Sequence, residues 1–244
     1  MLKPVAKRSL AAEVFAQLRD HIVDGTLEAG EALPAERTLA EQLQVNRGAV
    51  REGLKRLEQA GLVSIQQGGA TRVLDYKRTA GLEILASMMV RPDGTVDTQL
   101  VRGVLELRTQ LAPIVARLCT QRASADAHAE LSAVVGRMEA ARGDLPTLQR
   151  LALDFWAVMV DGTGNVALEL AFNSLANTYS GVLEQFTQIL AVELGAVDDY
   201  AALVQAVIGA QPKRAGNLAT KIVARGAEAI EGLLAAVDAV QGSR

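Results

Sequence analysis

Apolar residues recur at three- and four-residue spacing between Ser9 and Gly61, which predicts three short helices. Their apolar faces are Val14, Leu18 and Ile22; Leu39, Ala40 and Leu43; and Val50, Leu54 and Leu57. Ser9 and Asn46 are suitable N-caps for the first and third helices, and Gly25 and Gly61 end them. Pro34 suits the start of the second helix, because a proline at the first helical position loses no hydrogen bond.

The periodicity then changes from helical to strand-like. Residues 62–65 and 71–74 are short β-prone segments, and the glycine-containing segment 66–70 between them predicts a hairpin. Two helices joined by a tight turn and followed by a hairpin form a winged helix-turn-helix. We therefore expect such a domain over residues 1–75, followed by a polar linker over 76–82.

Helical spacing dominates the remainder of the chain, so the fold is predicted to be mainly α. We expect helices near residues 80–90, 97–121, 124–142, 146–161, 165–194, 197–210 and 213–239, separated by Gly- and Pro-containing breaks. These segments predict an antiparallel seven-helix bundle over 83–244, which would bind an effector and support dimerisation.

The composition narrows the class of protein. Half of the residues are apolar but only 3% are aromatic, so the core consists of Ala, Leu and Val, as in packed helices. The net charge of -3 does not by itself indicate nucleic acid binding, although a local basic face is sufficient for it. Cys119 is the only cysteine, which excludes a disulfide framework. With no signal peptide and no long apolar segment, we expect a cytoplasmic protein without a membrane partner.

The third helix carries candidate DNA-binding chemistry. Arg47, Arg51 and Lys55 follow one another at four-residue spacing, on a face separate from the apolar one. Such a cationic helix face fits the major groove, with its N-terminal end nearest the bases. Arg37 is placed to hold a phosphate, and a glycine at position 68 lets the hairpin tip approach the backbone. The alternative is that these charges form an ordinary solvated face.

The segment LPAERTLAEQLQVNRGAVREGLKRLEQAGLVSIQQGGATRV resembles the DNA-binding domain of GntR-family regulators. The segments SIQQGGATRVLDYKRTAGLEIL and LDFWAVMVDGTGNVALELAFNSLANTY are similar to the fatty-acid-responsive FadR branch of that family. The resemblance implies DNA contacts from Arg37, Asn46, Arg47, Gly48, Ala49, Arg51, Gln67 and Gly68. Gly48 and Ala49 replace hydroxyl residues of the FadR pattern, and Gln67 replaces a histidine, so the operator is expected to differ.

The resemblance also bears on metal binding. In the larger sister branch an aspartate and three histidines hold a metal inside the helical domain. Here the corresponding positions are approximately Ala152, Trp156, Tyr200 and Lys221, and the two histidines, His21 and His128, lie elsewhere. We therefore expect neither a metal nor a cofactor.

Polar and aromatic residues of the helical domain are the effector-site candidates: Arg108, Asp154, Trp156, Tyr179, Lys221 and Arg225. Arg108 lies among apolar residues and suits an anion clamp, or else pairs with Glu106 or another carboxylate. Lys221 and Arg225 would meet the phosphates of an acyl-CoA or form a solvated face. Trp156 would stack on a ligand or pack in the core.

We expect a homodimeric repressor or activator that reads a palindromic operator and controls lipid metabolism through an acyl-CoA-like effector. Two alternatives remain, a small organic acid held without metal and a DNA-binding regulator with no effector. An enzyme is disfavoured, because neither Cys119 nor the acidic pair Asp198 and Asp199 has an organised catalytic partner, and residues 162–164 lack a P-loop lysine.

Overall fold

The computed structural model describes residues 9–66, 68–89, 94–180 and 187–241, without the side chains of 177–180, 240 and 241. The chain divides between Thr95 and Val96 into two compact units. The first unit contains the helices α1 (Leu10–Val23), α2 (Glu36–Gln42) and α3 (Arg47–Gln59) and the strands β1 (Val63–Ser64) and β2 (Arg72–Val73). Its helices agree with the three that the apolar spacing predicts.

Side-chain caps set where two of these helices begin. The Ser9 hydroxyl accepts a hydrogen bond from the Ala12 N–H at 3.2 Å, and the Asn46 side-chain oxygen accepts one from the Ala49 N–H at 2.8 Å. The predicted apolar faces pack into one core. Among the residues named for these faces, Leu43 is half-buried and the others are buried. A Cβ on Gly53 would lie 2.7 Å from the Val14 side chain, so this glycine allows α1 and α3 to pack closely.

The predicted hairpin is present but short. β1 and β2 are antiparallel, with Val63 opposite Val73, and Ala32 forms an isolated bridge with Arg72. Gly68 at the hairpin tip has a φ of +72°, a conformation that glycine adopts without strain. Gln67 lies outside the described residues.

The continuous helix predicted at 80–90 is wrong. The segment instead contains α4 (Tyr76–Thr79), a 3-10 turn (Leu82–Ile84) and α5 (Leu85–Met88), because the backbone is extended at Ala80 and Gly81. The Thr79 hydroxyl donates to the Gly61 carbonyl at 2.6 Å, and Ile84 is buried in the core of the first unit. The first unit thus extends past the expected linker at 76–82.

The second unit consists of helices. These are α6 (Thr98–Arg122), α7 (Ala125–Ala140), α8 (Leu145–Asp161), α9 (Val166–Ser180), α10 (Ala191–Leu194), α11 (Val197–Ile208) and α12 (Pro212–Gln241). The prediction of one helix over 165–194 is wrong in part, since residues 187–190 form a turn and α10 is a separate single turn. The other predicted bounds are met within a few residues. None of the described helices combines the length and apolarity that a bilayer crossing requires.

Candidate DNA-reading surface and effector cavity

One face of α3 is buried and the other presents cations. Val50, Leu54 and Leu57 are buried, whereas Arg47, Arg51 and Lys55 are exposed. The helical period separates the two faces, so packing fixes the orientation of the cationic face. Neither Arg47 nor Lys55 forms an ion pair with another described residue, which leaves both available for phosphates or base edges.

Two arginines of this surface are held by carboxylates of α2. Arg51 donates to both oxygens of Glu36, with its Nη2 at 3.0 Å from Oε2, and this hydrogen bonding raises the pKa of Arg51. Arg37 lies 3.6 Å from Glu41, one helical turn away. Arg37, Glu41 and Arg51 are exposed and Glu36 is half-buried, so both arginines can exchange these carboxylates for other anions at small cost.

The remaining predicted DNA contacts differ in accessibility. Gly48 is exposed at the start of α3, and a Cβ on Gly68 would meet open space. The Asn46 side chain already caps α3. Ala49 is only 9% exposed, so its methyl group packs in the core and is poorly placed for the DNA contact that the resemblance implies.

The second unit contains a partly open cavity of about 110 Å³. Residues one helical turn apart on α6, α8 and α9 line it: Leu111, Ala112 and Val115; Ala152, Leu153 and Val160; and Leu168, Phe172, Leu175 and Ala176. Leu190, Leu194, Val223 and Ile230 complete the apolar wall. Arg108, Gln149, Trp156 and Glu193 are its polar members. An apolar chamber with a few polar groups is typical of small-molecule sites.

Arg108 lies on this cavity, but it is not a vacant anion clamp. Its two terminal nitrogens donate to the two carboxylate oxygens of Glu193, with Nη1 at 3.0 Å from Oε2. Glu193 is 2% exposed and the Arg108 side chain 21%. The pair is therefore a largely buried, bidentate ion pair that places no net charge on the wall.

Trp156, an effector-site candidate from the sequence, also lines the cavity. Its ring packs edge-on against Phe155, which in turn packs edge-on against Tyr200 at 5.0 Å. Burial, followed by the negative charge of Glu193, raises the pKa of Tyr200, which keeps the phenol protonated. Among the described residues, the Trp156 Nε1 and the Tyr200 hydroxyl have no hydrogen-bond partner.

Three predicted effector residues do not reach the cavity. Asp154 is exposed on the far side of α8. Lys221 and Arg225 bind the same carboxylate on α11, with Lys221 Nζ at 2.9 Å from Asp199 Oδ1 and Arg225 Nη1 at 2.7 Å from Oδ2. Neither of these two α12 residues lines the cavity. The side chain of Tyr179 lies outside the described ones.

Two polar residues of the cavity were missed from the sequence, Glu193 and Gln149. A signal existed for Glu193, since it stands alone among Leu190, Leu194 and Val197 on an apolar face. Gln149 has no such signal, and its side chain accepts a hydrogen bond from the Thr187 hydroxyl at 2.7 Å. No cluster of three His, Cys, Asp or Glu side chains suited to a metal occurs among the described residues.

Comparison with known proteins identifies both units. Residues 10–73 match the family model for bacterial regulatory proteins of the gntR family, and residues 103–225 match the model of the FCD domain. The chain is 38% identical over 222 residues to the HTH-type transcriptional regulator Mce2R of Mycobacterium tuberculosis, which covers 91% of this chain and 92% of that protein.

Two further matches are more limited. A fatty acid metabolism regulator protein of Vibrio cholerae is 39% identical over 98 residues, which is 40% of this chain and 35% of that protein. A solved Listeria monocytogenes structure, titled for Lar and its control of the agr system, shares the fold with a TM-score of 0.60 at 15% identity, covering 94% of this chain and 100% of that one. The resemblance inferred from the sequence is confirmed: the chain belongs to the GntR family of bacterial regulatory proteins, and it is a transcription regulator, not an enzyme, with an FCD domain behind its winged helix-turn-helix.

Proposed function

We propose that the protein is a sequence-specific operator-binding regulator whose affinity for DNA is set by an acyl compound held in the cavity of the second unit. The observation that carries the proposal is the cavity itself, an apolar chamber whose polar groups number only four among the described residues. Burying an acyl chain there is favourable by roughly 0.8 kcal/mol per methylene. The match to a protein named fatty acid metabolism regulator supports this choice of ligand class.

The coenzyme A portion of an acyl-CoA has less support than its acyl chain. The phosphates of such a ligand need cations, and Lys221 and Arg225 are occupied by Asp199 away from the cavity. A cavity of about 110 Å³ suits a small molecule or a short acyl chain in the present conformation. The proposal is therefore that the acyl portion carries the recognition.

A small organic acid held by Arg108 is the second candidate. It is favoured by one observation, that Arg108 lines the cavity. A carboxylate ligand would have to compete with Glu193, which already accepts one hydrogen bond from each terminal nitrogen of the arginine and neutralises its charge. Displacement would leave a buried carboxylate without its partner, and that is costly.

On DNA we propose a homodimer that reads a short palindrome, with one α3 helix in each half-site. Two-fold proteins read two-fold operators, and the cationic face of a single α3 is long enough for one major groove. Arg47 and Arg51 would contact base edges, whereas Arg37 would contact phosphate.

The experiment has two stages. The operator is first selected from a pool of random duplexes, and a palindromic consensus is expected. Hexanoate, its methyl ester, longer acyl-CoAs and free coenzyme A are then titrated into the protein–operator complex, with calorimetry on the protein alone. The proposal requires that at least one acyl compound bind and change operator affinity. It fails if none does so, or if free coenzyme A acts as well as its acyl thioesters.

A further inference from the structure

The three cations of the α3 face are held differently. Arg47 and Lys55 have no ion-pair partner among the described residues, whereas Arg51 pairs with Glu36, the first residue of α2. The two paired residues are 15 positions apart in the sequence, so their contact spans the turn between the two helices. Glu36 is half-buried and Arg51 is exposed. The pair therefore lies at the edge of the surface that is proposed to face DNA.

Glu36 occupies only one edge of the Arg51 guanidinium. Nε lies 3.3 Å from each carboxylate oxygen, and Nη2 lies 3.0 Å from Oε2. An arginine presents its N–H donors in a rigid planar fork. Nη1 has no hydrogen-bond partner among the described residues, and Nη2 has a second N–H that points away from the carboxylate. The end of the fork formed by Nη1 and Nη2 is therefore open to a ligand.

The contact with Glu36 orients a long and flexible side chain. An arginine loses rotamer freedom when it binds, and one that is already held in place loses less of it. Although this exposed pair can be exchanged, a contact through the open end of the guanidinium needs no exchange. Two N–H donors side by side match the O6 and N7 acceptors of guanine in the major groove. The open end of Arg51 is thus suited to one particular base.

The carboxylate of Glu36 also reduces the attraction of Arg51 for phosphates. Binding to DNA without sequence preference grows with the number of phosphates that cations neutralise. The pair carries no net charge, so it adds little to such binding, whereas Arg47 and Lys55 have no counter-charge among the described residues. The pair therefore favours the choice of a base over general affinity for DNA.

We infer that Glu36 is a positioning residue for sequence recognition, which holds Arg51 so that the Nη1–Nη2 end of the guanidinium reads a guanine in the major groove. It also lowers the affinity for DNA of other sequences. This inference rests on the proposed contact of Arg51 with a base edge. Glu36 acts through Arg51 and need not touch DNA itself.

The test replaces each base pair of the selected half-site in turn and measures binding by fluorescence anisotropy, with a scrambled duplex for general affinity. The proteins are the unmodified chain, Glu36→Gln, Arg51→Ala and the double variant. Glu52→Gln is the matched control, because it removes the same charge from the same unit. The arginine that it leaves without a carboxylate, Arg56, is not among the proposed DNA contacts.

One G·C pair of the half-site is expected to lose its preference in Arg51→Ala. At that position Glu36→Gln should reduce the preference for guanine about three- to tenfold, which is part of the discrimination that a bidentate contact gives. Glu36→Gln should bind the scrambled duplex at least as tightly as the unmodified protein, since a negative charge has been removed. Glu52→Gln should retain the guanine preference, and Glu36→Gln should not alter base preference further once Arg51 is alanine.

The inference is overturned if Glu36→Gln keeps the full guanine preference, or if it weakens operator and scrambled duplex by the same factor, as a general loss of α2 structure would. An effect of Glu36→Gln on base preference that persists in Arg51→Ala also overturns it. Should Glu36→Gln not fold, Glu36→Asp keeps the charge in the first turn of α2 but withdraws the carboxylate by one methylene, and it is expected to lose the preference.

Failure of this inference is distinct from failure of the proposed function. If no position of the half-site loses its preference in Arg51→Ala, the proposed base contact is wrong. If one position does so and Glu36→Gln preserves the preference there, only the positioning role of Glu36 is wrong.

Discussion

The two units keep their functional groups in opposite environments. On α3 the cations are exposed, and the carboxylate that pairs with Arg51, Glu36, is only half-buried. In the second unit the ion pair of Arg108 and Glu193 is largely buried and lies in the wall of an apolar cavity. Exposed charges can exchange partners at small cost, whereas buried ones cannot. The first unit can therefore exchange its present ion pairs for contacts with DNA, whereas the charges of the second unit are fixed in their present arrangement.

The largest effect is expected from breaking the buried ion pair. Arg108→Met leaves the Glu193 carboxylate in an apolar wall without its partner, and it should destabilise the second unit by about 3–5 kcal/mol. The double variant Arg108→Met with Glu193→Leu replaces both charges by apolar groups and should recover most of this loss. Chemical denaturation of the three proteins measures it. If the single and double variants are equally stable, the Glu193 carboxylate left without its partner carries no large energetic cost.

A close helix contact in the first unit gives the next effect. Gly53→Ala places a methyl group 2.7 Å from Val14 and 3.2 Å from the Ala11 carbonyl, and we expect a loss of about 1–3 kcal/mol. Gly103→Ala in α6 is the control in the second unit, because its Cβ would meet open space. That change should stabilise by about 0.5–1 kcal/mol through helix propensity. Thermal melts of both variants test this difference. A Gly53→Ala variant that is as stable as the unmodified protein would contradict the expected clash.

Operator binding tests the exposed surface directly. Arg47→Ala and Arg51→Ala should each cost about 1–3 kcal/mol on the selected operator and relax specificity at one position. Arg37→Ala should weaken all sequences alike, as expected for a phosphate contact. Arg56→Ala, on the same helix and paired with Glu52, is the matched control. Fluorescence anisotropy with operator and scrambled duplexes measures these changes, and unchanged binding by both helix variants would place the DNA contact elsewhere.

The smallest effect is expected from the thiol of Cys119, which lies in the second unit. Burial raises the pKa of this thiol to about 11, so the folded state favours the neutral form. Its contribution to stability is complete below the unfolded-state pKa of roughly 9 and is lost as the pH rises toward the folded value. Unfolding free energy should therefore fall over that alkaline range, and less steeply in Cys119→Ala. If the unfolding free energy falls equally steeply with pH in the two proteins, the Cys119 thiol does not have the raised pKa in the folded state.

The sequence predicts the first unit better because its signals are local. Caps at Ser9 and Asn46, apolar spacing and the cationic positions of α3 all act within a few residues. The mistaken helix at 80–90 shows the limit, since Ile84 is drawn into the core of the first unit and the chain is extended at Gly81. Tertiary packing overrides helical propensity there.

The cavity depends on partners that are distant in sequence. Arg108 meets Glu193, and Lys221 and Arg225 meet Asp199, in pairings that no local pattern specifies. Helical spacing alone separates Asp154 from the cavity, because a residue two positions from both Ala152 and Trp156 lies on the opposite side of the helix. A helical wheel of α8 would have excluded it.

In the proposed function, occupation of the cavity controls DNA binding, and this link is tested by filling the cavity with a larger side chain. Ala152→Leu adds bulk to a residue of the cavity wall, whereas Asp154→Leu adds a leucine to the exposed side of the same helix. Operator affinity is measured by anisotropy for both variants, with and without the acyl compound that acts on the unmodified protein. We expect Asp154→Leu to respond normally and Ala152→Leu to bind the operator but no longer respond to the compound. A full response by Ala152→Leu would contradict it.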